Sequence, residues 1–156
     1  MRQLFREYRK VGKQRSKRKH GKLGWGQFGI IWNKQTFSVY VRHSRYTHTL
    51  LENATTFTVS IPREGSLKNE LAFCGTRSGR DVDKMRALHA SLLPAQFGGQ
   101  DGFRGCRVHI ECRILFRTDL IEQLLEDDAL LSRYYPEGDT HTMLIGEILG
   151  VREEAE

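Results

Sequence analysis

The sequence predicts a mainly β fold with short helices, a β-barrel or α+β arrangement rather than a doubly wound sheet. Three observations carry this. The segments TFSVYVR, TTFTVSI and RVHIECRILFR alternate apolar and polar residues with period two, as half-buried strands do. The helical stretches between them are short. They do not alternate strictly with strands, as a parallel α/β sheet requires. The 156 residues, 38% hydrophobic and 28% charged, suit one domain at about 100–200 residues each. A chain of this size buries roughly 70% of its extended surface and holds a core without metals or disulfides.

The expected limits are a basic, disordered tail over 1–22, a folded domain over 23–151 and an acidic end over 152–156. Residues 1–22 carry ten Lys and Arg against Glu7 alone, while the remainder is mildly acidic. The net charge of +6 is therefore a property of the tail. The tail is either solvated and disordered or a salt-dependent attachment to nucleic acid or an anionic surface.

In chain order, Gly-rich GWGQFGIIW (24–32) is read as a strand and turn, with Trp32 placed in the core. In the strand after it, Phe37, Val39 and Val41 share one face. A short helix over 48–53 follows Thr47 as its cap. The next strand buries Phe57, Val59 and Ile61. Ser66 is then expected to cap a helix with Leu67, Leu71 and Cys74 on one stripe, ending near Gly75. Asp81 is expected to cap another, with Val82, Met85 and Leu88 inward. The glycine loop at 98–105 leads into the longest strand, where Val108, Ile110, Cys112, Ile114 and Phe116 face one way. LIEQLLEDDALLSRYY reads as one or two helical turns. TMLIGEILGV, apolar on both faces except Glu147, reads as a covered strand.

No apolar run approaches the ~18 residues that span a bilayer, and the first twenty residues lack the apolar core of an export signal. Cys74, Cys106 and Cys112 form no CxxC pair, so reduced thiols and a cytoplasmic location are expected. GWGQFG matches G-x-G-x-x-G, but no buried strand precedes it and position 49 is Thr, so a dinucleotide fingerprint is rejected. No nucleophile elbow occurs, and no catalytic acid, base or nucleophile is assigned. His141, beside Asp139, is weighed as pocket-facing or simply structural. No H-x-x-x-H pair or His/carboxylate cluster is visible in the sequence, so no metal is expected.

Two segments carry chemistry. CGTRSGRDVDK joins a helix end to a helix start and presents Ser78, Arg80 and Lys84. Amides, a hydroxyl and a guanidinium suit a phosphate; alternatively, Asp81 takes the amides and Arg80 pairs with Asp83. VRHSRYT places Arg42, Ser44, Arg45, Tyr46 and Thr47 at a strand end. Two guanidiniums and two hydroxyls there either clamp a phosphate, contact an aromatic ring, or stand as ordinary surface groups.

GWGQFGIIWNK, VRHSRYTHTLLE, FTVSIP, LAFCGTRSGRDVDK, ECRILFRTDL and HTMLIGEILGV occur in the order and spacing of the flavin reductase-like family, and the chain resembles it over about residues 23–151. The resemblance implies the FMN-binding split β-barrel and a cytoplasmic homodimeric flavoprotein. It implies noncovalent FMN held by Trp25, Gly26, Arg42, Ser44, Arg45, Tyr46, Thr47, Cys74, Gly75, Ser78, Gly79, Arg80, Asp81 and Lys84. It also implies an oxidoreductase that passes hydride or electrons between flavin and NAD(P)H or a redox protein. The other reading is a non-catalytic flavin-binding module, or one that binds nucleic acid through its tail. Family members carry a further N-terminal strand and a hydroxyl-bearing segment where this chain has RSKRKHGKLG. That strand is expected to be missing or divergent, with Lys22 and Gly24 in place of the hydroxyls. The sheet edge so vacated is expected to be exposed, covered by a dimer partner or paired with part of the C-terminal region, and the stable form is expected to be a homodimer.

Overall fold

The computed structural model describes residues 3–9 and 19–155. Its elements are β1 (Gln3–Arg9), β2 (Lys19–Leu23), β3 (Gly26–Ile31), β4 (Lys34–Arg42), α1 (Tyr46–Leu51), β5 (Ala54–Pro62), α2 (Lys68–Thr76) and α3 (Lys84–Ala87). They continue with β6 (Leu92–Leu93), β7 (Gly102–Phe103), β8 (Cys106–Asp119), a 3₁₀ turn (Glu122–Leu124), α4 (Asp128–Tyr134) and β9 (His141–Glu153). Among the described residues, no helix is long and apolar enough to cross a membrane.

Seven strands form one open sheet in the order β2-β1-β5-β8-β9-β4-β3, and β6 pairs with β7 separately. All the pairings in the large sheet are antiparallel. The alternating faces meet as expected: Phe37, Val39, Val41, Phe57, Val59, Ile110, Cys112 and Leu144 build the main core with Leu23 and Leu51. Burying each of the two Phe side chains is worth about 1.5–3 kcal/mol. Gly146 admits this packing, because a Cβ there would lie 2.6 Å from the Phe57 ring and 2.8 Å from Cys112 Cβ. Leu71 and Cys74 of α2 join Phe103 and Cys106 in a second cluster, with Met85 and Leu88 against it.

Several expectations are corrected. The first 22 residues do not lie wholly outside the sheet: β1 pairs with β5, setting Phe5 opposite Val59, and β2 pairs with β1. The edge of β5 expected to be vacant is thus occupied, and no dimer partner is required to fill it. A total of charges hid two short pairing segments; residues 10–18, also assigned to the tail, lie outside the described residues. At the other end β9 continues to Glu153, past the expected limit at 151. Trp32 is 56% exposed. With Asn33 it forms a two-residue hairpin turn between Ile31 and Lys34, both residues at positive φ, the geometry such turns require.

The cap residues also differ. Arg45 and Leu67, not Thr47 and Ser66, precede α1 and α2; the Ser66 hydroxyl donates instead to the Arg63 carbonyl at 2.8 Å. Asp83, not Asp81, caps α3, its Oδ1 accepting from the Met85 and Arg86 amides.

Along β8, Phe116 is 44% exposed rather than inward. A bulge between Ile114 and Phe116 shifts the register against β9 and turns the alternation over. The face of β8 expected to be solvated buries His109 and Glu111 beneath the 94–103 segment. The Glu111 carboxylate accepts the amides of Gln96 at 2.7 Å and of Phe97 and Gly99 at 2.8 Å each.

Candidate functional site

One open cleft of about 450 Å³ lies where the ends of β2 and β4 meet α1 and the loop after α2. Its volume falls within the range of about 300–1,000 Å³ usual for small-molecule sites. The lining brings together Trp25, Arg42, Ser44, Arg45, Tyr46, Thr47, Cys74, Gly75, Ser78, Gly79, Arg80 and Lys84 from the two expected segments and the Trp-Gly turn. Gly26 and Asp81 do not line it. Gly26 serves the close pairing of β3 on β4, where a Cβ would meet the Phe37 ring at 2.8 Å. Asp81 is exposed and its amide donates to the Ser78 carbonyl in a turn.

The walls are built locally. α1 turns Tyr46, Thr47 and Leu50 toward the cleft, one helical face. Gly21 leaves room for the Thr47 hydroxyl, which would stand 2.5 Å from a Cβ there. Lys22 lays its stem on Gly75, with Nζ 3.4 Å from where that residue's Cβ would be.

Two of the proposed phosphate partners are already engaged. Arg42 donates to the carbonyls of Asp139 at 2.8 Å and Tyr134 at 2.7 Å and lies 3.6 Å from the Asp139 carboxylate. Ser44 donates its hydroxyl and its amide to that same carboxylate, at 2.6 and 2.9 Å. Burial opposes ionisation of Asp139, but the Ser44 hydrogen bonds and the Arg42 charge hold its carboxyl below the ordinary value. Arg42 and Ser44 therefore fasten the segment before β9 and shape the cleft edge.

Other groups remain turned to the cleft. Arg80 sits 5.3 Å over the Tyr46 ring and reaches the Ser44 carbonyl at only 3.4 Å. Ser78 Oγ accepts the Arg80 amide at 3.1 Å, leaving its own proton without a hydrogen-bond acceptor among the described residues. Lys84 is buried and donates to the Cys74 carbonyl at 2.8 Å; burial holds its ammonium below the ordinary value. Cys74 is buried with its thiol pushed up by burial, the environment of an inert packing thiol.

His141 belongs to the cleft, and the pocket-facing alternative is the one realised. Its ring stacks on Trp25 with centroids 4.5 Å apart and planes at 28°. Nδ1 lies 3.0 Å from the Tyr135 hydroxyl. Burial, and then the Arg42 charge, push its imidazole down to about 4, so it is neutral at pH 7. Sequence reasoning missed Tyr40, Val41, Leu50, Thr76 and Arg77. Thr76 and Arg77 lie inside the CGTRSGRDVDK segment, and Leu50 is one turn after Thr47; Tyr40 gave no signal beyond strand alternation. Outside the cleft, His43, His48 and Asp119 converge, a His/carboxylate cluster that sequence spacing did not reveal.

Six cationic side chains (Lys22, Arg42, Arg45, Arg77, Arg80 and Lys84) line the cleft, and no carboxylate does so among the described residues. With Trp25, Tyr40, Tyr46 and His141 in the walls, the arrangement suits an anionic ligand that carries a flat ring.

The family model of the flavin reductase like domain matches residues 32–156. A curated relative, an uncharacterized protein of Archaeoglobus fulgidus, is 29% identical over 122 residues, 78% of this chain; the chain spans 58% of that relative's length. Among solved structures, flavoredoxin from Methanosarcina acetivorans superposes with a TM-score of 0.69 at 22% identity, covering 98% of this chain and 68% of its own. An FMN-binding protein from Thermus thermophilus gives 0.70 at 22%, covering 98% and 71%. An NADH:FAD oxidoreductase from Streptomyces globisporus gives 0.70 at 16%, covering 98% and 75%. These are likenesses of fold, and the fold is the mainly β split barrel with short helices expected above.

Proposed function

Since the chain belongs to the flavin reductase like domain family, we propose that its cleft binds FMN without a covalent bond and that the protein is a flavin-dependent oxidoreductase. In this reading it passes hydride or electrons between NAD(P)H or another carrier and the flavin. The observation that carries the proposal is the cleft itself, lined by six cations and no described carboxylate. Arg45, Arg77, Arg80, Ser78 and Thr47 would hold the phosphate, and Trp25 and His141 would form the wall against the ring system. Bound flavin supplies the hydride chemistry, and the protein supplies orientation and electrostatics.

Each residue's part follows from its surroundings. Lys84, pinned to the Cys74 carbonyl, acts through its field and by fixing the loop after α2. Neutral His141 contributes surface rather than charge at pH 7, so positive potential in the cleft comes from the guanidiniums and lysines. That potential favours gain of negative charge by whatever the cleft holds. A nucleic-acid role for residues 1–22 is not carried forward, because two of its stretches pair in the sheet.

We further place a second copy of the chain against β3, where Phe28 and Ile30 are 62% and 79% exposed.

Titration of the purified protein with FMN, read by flavin fluorescence and visible absorbance, tests the reading. Saturable quenching with a difference spectrum is expected, followed by oxidation of NADH or NADPH in the FMN-loaded protein. No change at FMN well above the micromolar range, for folded protein, would remove the proposal.

A further inference from the structure

Four elements bring together beside α1 a second set of polar groups, none of which lines the cleft. His43 follows β4, His48 lies on α1, Asp119 ends β8 and Thr142 stands near the start of β9. His43 Nε2 lies 3.1 Å from Asp119 Oδ1, and the ligand atoms of His43, His48 and Asp119 all lie within 4.8 Å of one another. The two imidazoles meet edge to face, with ring centroids 4.8 Å apart.

We propose that His43, His48 and Asp119 form a binding site for a divalent transition-metal ion of the zinc class. Two imidazole nitrogens and one carboxylate are the donor set such ions take, at about 2.0–2.2 Å. Two such ligands on one tetrahedral centre stand roughly 3.4 Å apart. The His43–Asp119 pair, at 3.1 Å, is within a few tenths of an ångström of that separation, and the wider spacing, up to 4.8 Å, closes by rotations of side chains that are partly or largely exposed.

The surroundings fit the same assignment. His43 Nδ1 faces the Thr140 hydroxyl at 3.4 Å, which places a hydrogen-bond partner behind the imidazole and leaves Nε2 as ligand. Thr142 Oγ1 lies 2.8 Å from His48 Nε2, 3.2 Å from His43 Nε2 and 2.5 Å from Asp119 Oδ1. One hydroxyl proton serves only one of these three acceptors when both Nε2 atoms carry lone pairs. In that tautomer a cation takes up the two Nε2 lone pairs and the carboxylate together; with Nε2–H tautomers the same atoms form a hydrogen-bond chain that the ion would replace. Among the described residues Asp119 has no Lys or Arg partner; the basic group beside it is the His43 imidazole.

Three protein ligands leave room for water on the exposed side. Because α1 also carries Tyr46, Thr47 and Leu50 into the cleft, an ion held by His43, His48 and Asp119 would clip the cleft wall to the ends of β4 and β8.

The test is calorimetric titration of the full chain with Zn²⁺, with Mg²⁺ as control, in wild type and in His48→Gln and Asp119→Asn, each checked for fold by circular dichroism. One Zn²⁺ per chain is expected, with a Tm that rises with Zn²⁺ and not with Mg²⁺. Each variant is expected to weaken binding at least about tenfold. Should one variant fail to fold, the other decides. No binding to the wild type, or binding that either folded variant retains in full, overturns the proposal; the second result would assign the ion to other histidines.

Discussion

Trp25 and His141 stack at 4.5 Å in the cleft wall, joining the turn after β2 to the first residue of β9. Tyr134 meets the same indole edge to face at 5.4 Å. The cleft wall is therefore a set of rings contributed by distant segments. An aromatic pair is worth about 0.5–1.5 kcal/mol beyond its buried area. His141→Ala is expected to loosen Trp25 and weaken FMN roughly two- to tenfold, measured by fluorescence titration. Unchanged affinity would detach this wall from the ligand.

In the proposed reading Ser78 and Arg80 hold the FMN phosphate. Arg80→Ala is expected to weaken FMN by about tenfold or more, the worth of a charged hydrogen bond, and Ser78→Ala by less. Both should leave riboflavin nearly unaffected. Parallel titrations with the two ligands check this, and equal losses for both would show that these residues do not face the phosphate.

Acid should destabilise the fold in a defined window. His141 has a folded pKa of about 4 against an ordinary 6.5, and buried His109 is lowered in the same direction, chiefly by burial. For such groups the unfolded chain binds protons more readily, so stability rises with pH through the interval. The contribution is fully present above pH ~6.5 and lost as pH falls toward the folded value, at most about 3 kcal/mol for His141. Asp139, also held low, adds to the loss below that. Tm measured from pH 7.5 downward should fall most steeply below about 6.5, and His141→Gln should flatten that slope.

Glu111 holds the segment over β8 through the amides of Gln96, Phe97 and Gly99. Glu111→Ala leaves these donors without their acceptor, and about 2–4 kcal/mol of stability should be lost. Thermal unfolding, together with faster proteolysis within 94–103, is the readout. A wild-type Tm would show that water replaces the carboxylate at little cost.

Assembly through β3 predicts a homodimer across a dilution series in sedimentation or light scattering. Ile30→Glu, at a position 79% exposed in the single chain, should shift the equilibrium toward monomer without lowering its secondary structure. A wild-type monomer at all concentrations would refute the assembly.

What the sequence determined by itself is local and periodic. The facing of Phe37, Val39, Phe57, Val59, Ile110 and Cys112 follows from alternation with period two, and Leu71 and Cys74 share a helical stripe, so the mainly β class and much of the core were legible. The cleft was legible in part, because VRHSRYT and CGTRSGRDVDK each keep their polar groups within a few residues. Tertiary structure decided the rest. Whether the charged N-terminal segment pairs depends on the open edge of β5, which no local pattern records. The solvated face of β8 became a buried one because a distant loop placed amides over Glu111. The bulge that exposed Phe116 exists only against β9. His141 reached Trp25, and His43 reached Asp119 across 76 positions, because antiparallel pairing aligns strand ends that are remote in the chain. Side-chain chemistry is written residue by residue, but the juxtaposition of two such groups is set by sheet order and register.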